Sequence, residues 1–366
     1  MKIPLAEIYV GDDTRRAIER VLSSGRFVKG AESKAFEREF ADFVGARHAV
    51  AVSSGTAAIH VTLQSLGVRP GDEVIVPSFS FVATASPLLQ LGAKPVFVDI
   101  DPETYTMDPK RVKTRITRRT RGIVPVHLYG HPAEMGAITE LARTRDLWVL
   151  EDACQAHGAQ YQGKHVGTLG DASAFSFYPS KNMTVCGDGG MVVTDDAALA
   201  DRARMYADAG RRPADKYVHR VVGANYRMSE LSAAIGRVQL AHLPEWVRGR
   251  RRAAHAYTEA LSEVQEVRTP VERPECLHSY YVYTVRARRR DRLSEHLAAR
   301  GIATGLYYPT PIHRQPFMSA PVRRSRLPVT DRAAREVLSL PMSQRLAAEA
   351  IETVARAVSD FYGRTH

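Results

Sequence analysis

No apolar run in the 366-residue chain approaches the roughly 20 residues that a membrane-spanning helix needs. The opening MKIPLAEIYVGDD turns acidic where a secretion signal requires an apolar segment. A membrane protein is therefore not expected, and a cytoplasmic location is. Cysteine is scarce: Cys154, Cys186 and Cys276 are too few for a disulfide framework and lack the CxxC spacing of a zinc site. Free thiols and no metal are the expectation. Internal repeats are absent, and the one compositional bias is arginine, which gives a formal charge of +11. The clusters Arg248 to Arg252, Arg286 to Arg292 and Val322 to Arg326 have no interleaved aromatic residues and fall among helical-looking segments whose solvated faces carry charge anyway. Nucleic acid is therefore not the expected partner; one cluster meeting an anionic small molecule is an alternative, since arginine binds such groups bidentately.

What the chain does have is length, with 44% hydrophobic residues to fill a sizeable core, and one lysine in an unusual setting. Ala172 to Tyr178 reads as a strand ending in Pro-Ser, followed by Lys181 and then by Gly187, Gly189 and Gly190, which permit sharp turns. The nearest other lysines are Lys164 and Lys216, and the residues around Lys181 are small or apolar. Desolvation there lowers an amine's pKa towards the neutral, nucleophilic form that imine chemistry needs.

Residues 1–47 read as an entry arm with helices over Asp13–Ser24 and Ala31–Val44, joined by the loop SGRFVKG. The strand HAVAV then runs into Ser53-Ser54-Gly55-Thr56 and a helix with apolar Ala58, Ile59, Leu63 and Leu66. Hydroxyls and free N–H groups at a helix start suit a phosphate, and they equally suit a plain N-cap. Beyond this come strands and helices in alternation: DEVIVPSFS, FVATASPLLQLG, KPVFVDID, GIVPVHLYG, PAEMGAITELARTRD and LWVLEDACQ. Strands that are apolar throughout imply a largely parallel sheet covered on both faces, whose ligands collect at the strands' carboxyl ends. Phe79, Phe81, His127, Tyr129, Glu151 and Asp152 fall there. Asp152 closes a buried strand, either to cap the next segment or to pair with a buried cation.

Further on, MVVTDD predicts a strand and Ala197–Ala209 a helix. A long helical region comes next, interrupted at Pro244, with Leu231, Ala234, Ile235, Val238 and Ala241 on its apolar face. The last part alternates differently: strands LHSYYVYTVRA and TGLYYP, helix DRLSEHLAARGI, and two helices over Asp331–Leu340 and Ala347–Tyr362. This pattern predicts an α/β chain in two units, residues 1–245 with the large sheet and 246–366 as a small α+β domain.

Eight segments in order, Ser54 to Ala58, Pro77 to Ala85, Pro125 to Gly130, Glu151 to Ala159, Ala174 to Met183, Gly187 to Asp196, Gly223 to Leu231 and Gly305 to Pro316, resemble the DegT/DnrJ/EryC1/StrS family of sugar aminotransferases that use pyridoxal phosphate. The resemblance implies the type I, aspartate aminotransferase-like fold. It assigns Lys181 to the imine with the cofactor, Asp152 to the pyridinium nitrogen, Gln155 to the ring's phenolic oxygen and Phe81 to ring stacking. Gly55, Thr56 and Ser176 match the phosphate cradle, which Asn225 joins from a neighbouring subunit, implying a homodimer with shared sites. Tyr308 and His313 match a segment near the substrate. The activity so implied moves an amine from an amino acid, glutamate by analogy, through the pyridoxamine form of the cofactor to a keto group on a nucleotide-linked sugar. Lysine rather than histidine at 181 argues against relatives that dehydrate the sugar. The segment Lys181 to Gly190 resembles 3-keto enzymes in its length and its GDGG, and 4-keto enzymes in its KNMT; the 3-keto reading is favoured. Another pyridoxal-phosphate reaction on this scaffold, or a regulator that is not an enzyme, stays as an alternative.

Overall fold

Apolar runs that alternate with helices pair into one seven-stranded sheet in a computed structural model that describes residues 2–212 and 214–363. Its strands are β1 His48–Val52, β2 Glu73–Pro77, β3 Lys94–Val98, β4 Thr120–Ile123, β5 Trp148–Asp152, β6 Ala172–Ser176 and β7 Gly190–Thr194, in the order β1-β7-β6-β5-β4-β2-β3. Only β7 runs against its neighbours. The chain therefore leaves β1, β2, β5 and β6 at the same edge of the sheet.

Both faces are covered. On one, the helix Gly55–Ser65 brings Ala58, Ile59, Val61 and Leu63 against Val50, Val74, Leu150 and Ala172. On the other, the helix Ala31–Val44 sets Phe36 and Phe40 against Phe175 and Phe177, with ring centroids 5.0 to 6.0 Å apart. Strands sandwiched this way have no polar face, which is why they read as continuous apolar runs.

A second core belongs to a three-stranded antiparallel sheet of β8 Val267–Arg268, β9 Tyr283–Ala287 and β10 Val337–Leu340. The helices Arg290–Ala299 and Ala348–Phe361 cover it. Here the structure departs from the sequence reading in two places. The expected helix Asp331–Leu340 ends at Glu336, and Val337 to Leu340 instead form β10 beside β9. The expected strand TGLYYP makes a single bridge, Gly305 to Ser339, and is otherwise irregular. Both changes have one cause: β9 is central and needs a partner on each side, and VLSL supplies four apolar or small residues that it buries fully.

The two cores are joined by the 31-residue helix Glu230–Ala260, which is not interrupted at Pro244. Proline removes one N–H and crowds the carbonyl four residues back, yet burial of Leu240, Leu243, Trp246 and Val247 around it keeps the helix continuous. Of the face expected, Ala234 and Ile235 are buried and Leu231 and Val238 pack beside them against Ala17 and Val21, while Ala241 is exposed; a second buried face carries Ala233, Gly236, Leu240 and Leu243. Ala253, Ala254 and Tyr257 of the same helix pack in the second core, so residue 245 lies inside one continuous element. The chain's start also crosses over, since Ile3 bridges Ile302 and sits in the second core rather than with the large sheet. None of the described helices is long and apolar enough to cross a membrane.

Burial lowers the pKa of His131, His157, His278 and His313, and for His157, helped by the charge of Lys181, it lowers it to about 3. A depressed folded-state pKa means stability that is present above the unfolded value of 6.5 and lost as pH falls below it. Urea titrations should show stability declining between pH about 6.5 and about 3. The variant His157→Phe, whose ring fits between Phe175 and Phe177, should decline less over that interval; an identical decline would show that His157 titrates normally.

Candidate active site

At the edge where β1, β2, β5 and β6 end lies a cavity of about 630 Å³. Each strand delivers a different group to it. After β1 comes the helix Gly55–Ser65, capped by Ser54, whose Oγ accepts from the Ala57 N–H at 3.0 Å. The cap satisfies one donor of the first turn, and the N–H groups of Gly55 and Thr56 have no carbonyl behind them within the helix. Ser54 is thus the cap, and Gly55 and Thr56 line the cavity. Glycine is required at 55, because a Cβ there would lie 2.6 Å from Ser176 Cβ and 3.1 Å from Cys154 Sγ. At the start of β7 the same crowding recurs, with a Cβ on Gly190 falling 2.3 Å from the Ser54 carbonyl oxygen.

β5 ends in Asp152, and the strand's period of two sends Glu151 and Asp152 to opposite faces. Glu151 is fully buried away from the cavity, accepting from His127 Nε2 at 2.9 Å and from the N–H groups of Gly167, Leu169 and Gly170. His127 Nδ1 accepts from Ala133 N–H, so both residues brace loops and do no chemistry in the cavity. Asp152 faces the cavity; its Oδ2 accepts from Thr84 Oγ1 at 2.7 Å and its Oδ1 from Cys154 N–H at 3.2 Å. Gln155, three residues on, accepts from Tyr129 N–H at 2.9 Å and donates to Tyr308 OH at 2.9 Å.

Lys181 follows β6 in a turn closed by its N–H to the Tyr178 carbonyl, and its amine stands 4.4 Å from the centre of the Tyr281 ring. Tyr281 OH is 2.9 Å from Ser180 Oγ, which fixes that ring beneath the amine. Phe81 is 52% exposed, held outward by the 3-10 turn Val82–Thr84, with its ring 5.9 Å from that of Tyr308. Burial pushes the thiol of Cys154 and the phenol of Tyr308 well above their ordinary pKa values, so both keep their protons.

Of the residues singled out from sequence, Gly55, Thr56, Phe81, Asp152, Gln155, Ser176, Lys181 and Tyr308 line this one cavity. Asn225 does not; it is exposed, bridged through its backbone to Asp208. His313, expected near a substrate, also does not. It is fully buried behind the cavity wall, with Nδ1 2.6 Å from Ser78 Oγ, and its role is to pin its loop to the end of β2. Thr84, Tyr281 and Cys154 were missed. Thr84 and Cys154 lie inside segments already noted, but nothing in sequence spacing says that Thr84 reaches across to Asp152; Tyr281 sits in a run whose apolar neighbours hide it.

These groups fit a phosphorylated pyridine aldehyde. The cavity offers one amine, a carboxylate for a ring nitrogen, an exposed aromatic ring for stacking, and a helix start with hydroxyls for a dianion. Among the described residues no cluster of acidic, histidine or cysteine side chains is able to hold a metal ion.

Comparison with known proteins agrees with this chemistry. Residues 9–359 match the model of the DegT/DnrJ/EryC1/StrS aminotransferase family. A dTDP-3-amino-3,4,6-trideoxy-alpha-D-glucose transaminase from Streptomyces venezuelae is 46% identical over 91% of this chain and 88% of its own length. A protein of Geobacillus stearothermophilus named pleiotropic regulatory protein is 43% identical over 99% of both chains. The X-ray crystal structure of S. venezuelae DesV in complex with a ketimine intermediate superposes with a TM-score of 0.95 at 41% identity, covering 100% of both chains.

Changing Gly55 to Ala should push the helix start off Ser176 and weaken pyridoxal phosphate binding about tenfold or more, the scale of modest overpacking. Titration of cofactor fluorescence would read this, and unchanged affinity would mean that the phosphate lies elsewhere.

Proposed function

Because the chain belongs to the DegT/DnrJ/EryC1/StrS aminotransferase family, and so is a pyridoxal-phosphate aminotransferase of type I fold, we propose that it aminates the keto group of a nucleotide-linked sugar. The observation that carries this reading is the convergence of Lys181, Asp152 and the Gly55 helix start on one cavity. Bound there, pyridoxal phosphate supplies a carbonyl carbon that accepts amines and a cationic ring that draws electrons from the substrate carbon.

The chain's own residues then divide the work. Gly55, Thr56 and Ser176 hold the phosphate with N–H and hydroxyl donors. Asp152 would accept from the N–H of the ring nitrogen and keep that proton in place. Phe81 covers one face of the ring. Lys181 Nζ tethers the cofactor and, when free, takes a proton from the substrate carbon and returns one, as a positioned amine can. Tyr308 keeps its proton and, with its oxygen already accepting from Gln155, has its O–H left to donate to a sugar oxygen.

The 3-keto position is our preferred site of amination, supported by the GDGG segment and by the transaminase relative whose name places its amine at C3. Glutamate is our proposed donor. A homodimer is proposed as well, with Asn225 of one copy joining the phosphate site of the other: it is exposed on its own chain and does not line its own cavity. Exposed Phe27, Val28 and Val222 give that face apolar surface to bury. One relative's regulatory name keeps open a second role, but part of each arginine cluster is tied into the fold. Arg250 donates to the carbonyls of Tyr280 and Tyr281, Arg290 to those of Ala334 and Val337, Arg323 to those of Pro316 and Met318, and Arg251 pairs with Glu272.

Incubation with pyridoxal phosphate, glutamate and a panel of 3-keto and 4-keto nucleotide sugars should give a 3-amino product by NMR; exchange among simple amino and oxo acids with no sugar product would reject the substrate proposal. Lys181→Ala should fold but give no borohydride-fixed cofactor adduct. Mixing inactive Lys181→Ala with inactive Asn225→Ala under conditions that exchange subunits should restore activity, since one site of each mixed dimer is intact. No recovery would place both residues' work within one chain.

A further inference from the structure

The 3-10 turn Val82–Thr84 sets two groups at once: it aims Phe81 at the cavity and brings Thr84 under Asp152. Thr84 Oγ1 donates to Asp152 Oδ2 at 2.7 Å, and Ser80 Oγ lies 2.8 Å from Thr84 Oγ1. All three are buried, at 1% exposure for Thr84, 3% for Ser80 and 4% for Asp152. The direction of the chain follows from proton counting. An ionised carboxylate only accepts, so the single proton of Thr84 goes to Asp152, and the proton between the two hydroxyls must come from Ser80. Ser80, Thr84 and Asp152 thus form a one-way relay of donors ending on the carboxylate.

We infer that Thr84, backed by Ser80, is a positioning residue that holds Asp152 in one rotamer, with a lone pair left for the cofactor's ring nitrogen. The inference rests on the reading of Asp152 given above and goes beyond it. Two things make the hydroxyl more than a filler. A donor to the charged form weakens the carboxylate as a base, so a proton shared with a pyridine nitrogen stays on the nitrogen. Each hydroxyl also polarises the next, so Ser80 strengthens the bond that Thr84 makes without touching Asp152. Cys154 N–H occupies the other oxygen, and the carboxylate is thereby clamped on both sides.

The test compares Thr84→Val, which keeps the shape and removes the hydroxyl, with Thr84→Ser, which keeps the hydroxyl, and with Ser80→Ala and Asp152→Asn. Three quantities are measured: the dissociation constant of pyridoxal phosphate, the pH dependence of the loaded protein's visible absorbance, and the melting temperature without cofactor. Thr84→Val should weaken cofactor binding about tenfold or more, the scale of one hydrogen bond to a charged group, and displace the pH profile. Thr84→Ser should keep the parent profile, and Ser80→Ala should shift it the same way as Thr84→Val by less. A Thr84→Val profile that stays at the parent's while Asp152→Asn moves overturns the inference and leaves the site reading intact. Parent-like affinity and profile in Asp152→Asn would instead remove the site reading itself. Should Thr84→Val fail to fold, Ser80→Ala decides: an unshifted profile there overturns the relay.

Discussion

A carboxylate buried at the end of a strand is costly unless donors surround it, and the arrangement around Asp152 answers that cost. One oxygen takes the Cys154 N–H, the other the Thr84 hydroxyl, and the remaining capacity faces the cavity. Because the backbone there is parallel sheet, Asp152 cannot drift without disturbing β4 and β6, which hydrogen-bond to its strand. The rest of the site is arranged around this fixed negative charge: the amine on the turn after the neighbouring strand β6, the aromatic ring on the turn that carries Thr84, and the helix start after β1.

Segments that flank the second core also contribute to this cavity. Tyr281, Tyr307 and Tyr308 all line it, and they reach it from segments flanking β9 and from the irregular stretch before Ile312. Gln155 to Tyr308 is a hydrogen bond from the end of β5 to the irregular stretch before Ile312, and Lys181 over Tyr281 sets a cation on a ring of the segment leading into β9. The helix Glu230–Ala260 packs in both cores and carries Arg250, whose guanidinium is fully buried and donates to the carbonyls of Tyr280 and Tyr281. Its position thus bears directly on the ring beneath the lysine. Burial lowers the Arg250 pKa to about 10, which still leaves it charged at neutral pH.

Much of the surplus positive charge proves to be structural. Arg286 joins Glu336 and the Pro102 carbonyl, Arg314 joins Asp331, and Arg323 donates to the carbonyls of Pro316 and Met318. Arginine suits such places because its planar fork satisfies several carbonyls while remaining ionised. A basic composition is therefore weak guidance to a partner where guanidinium groups are tied to carbonyls and carboxylates of the same fold.

The sequence by itself determined the alternation of apolar strands and amphipathic helices, and with it the parallel sheet, since a strand buried on both faces must be apolar throughout. It also marked glycines beside the strand ends, Gly55 and Gly190, and the reason they are needed is close approach: a Cβ at either would crowd its neighbours. What only the tertiary structure decided are relations between distant segments. Whether VLSL is helix or strand depended on the vacant side of β9, and whether Pro244 breaks a helix depended on the burial of its neighbours. That His313 braces a loop while Thr84 clamps a carboxylate, 68 residues away along the chain, is likewise decided by packing. Hydrogen bonds form between atoms brought within about 3 Å, and no local periodicity carries that information.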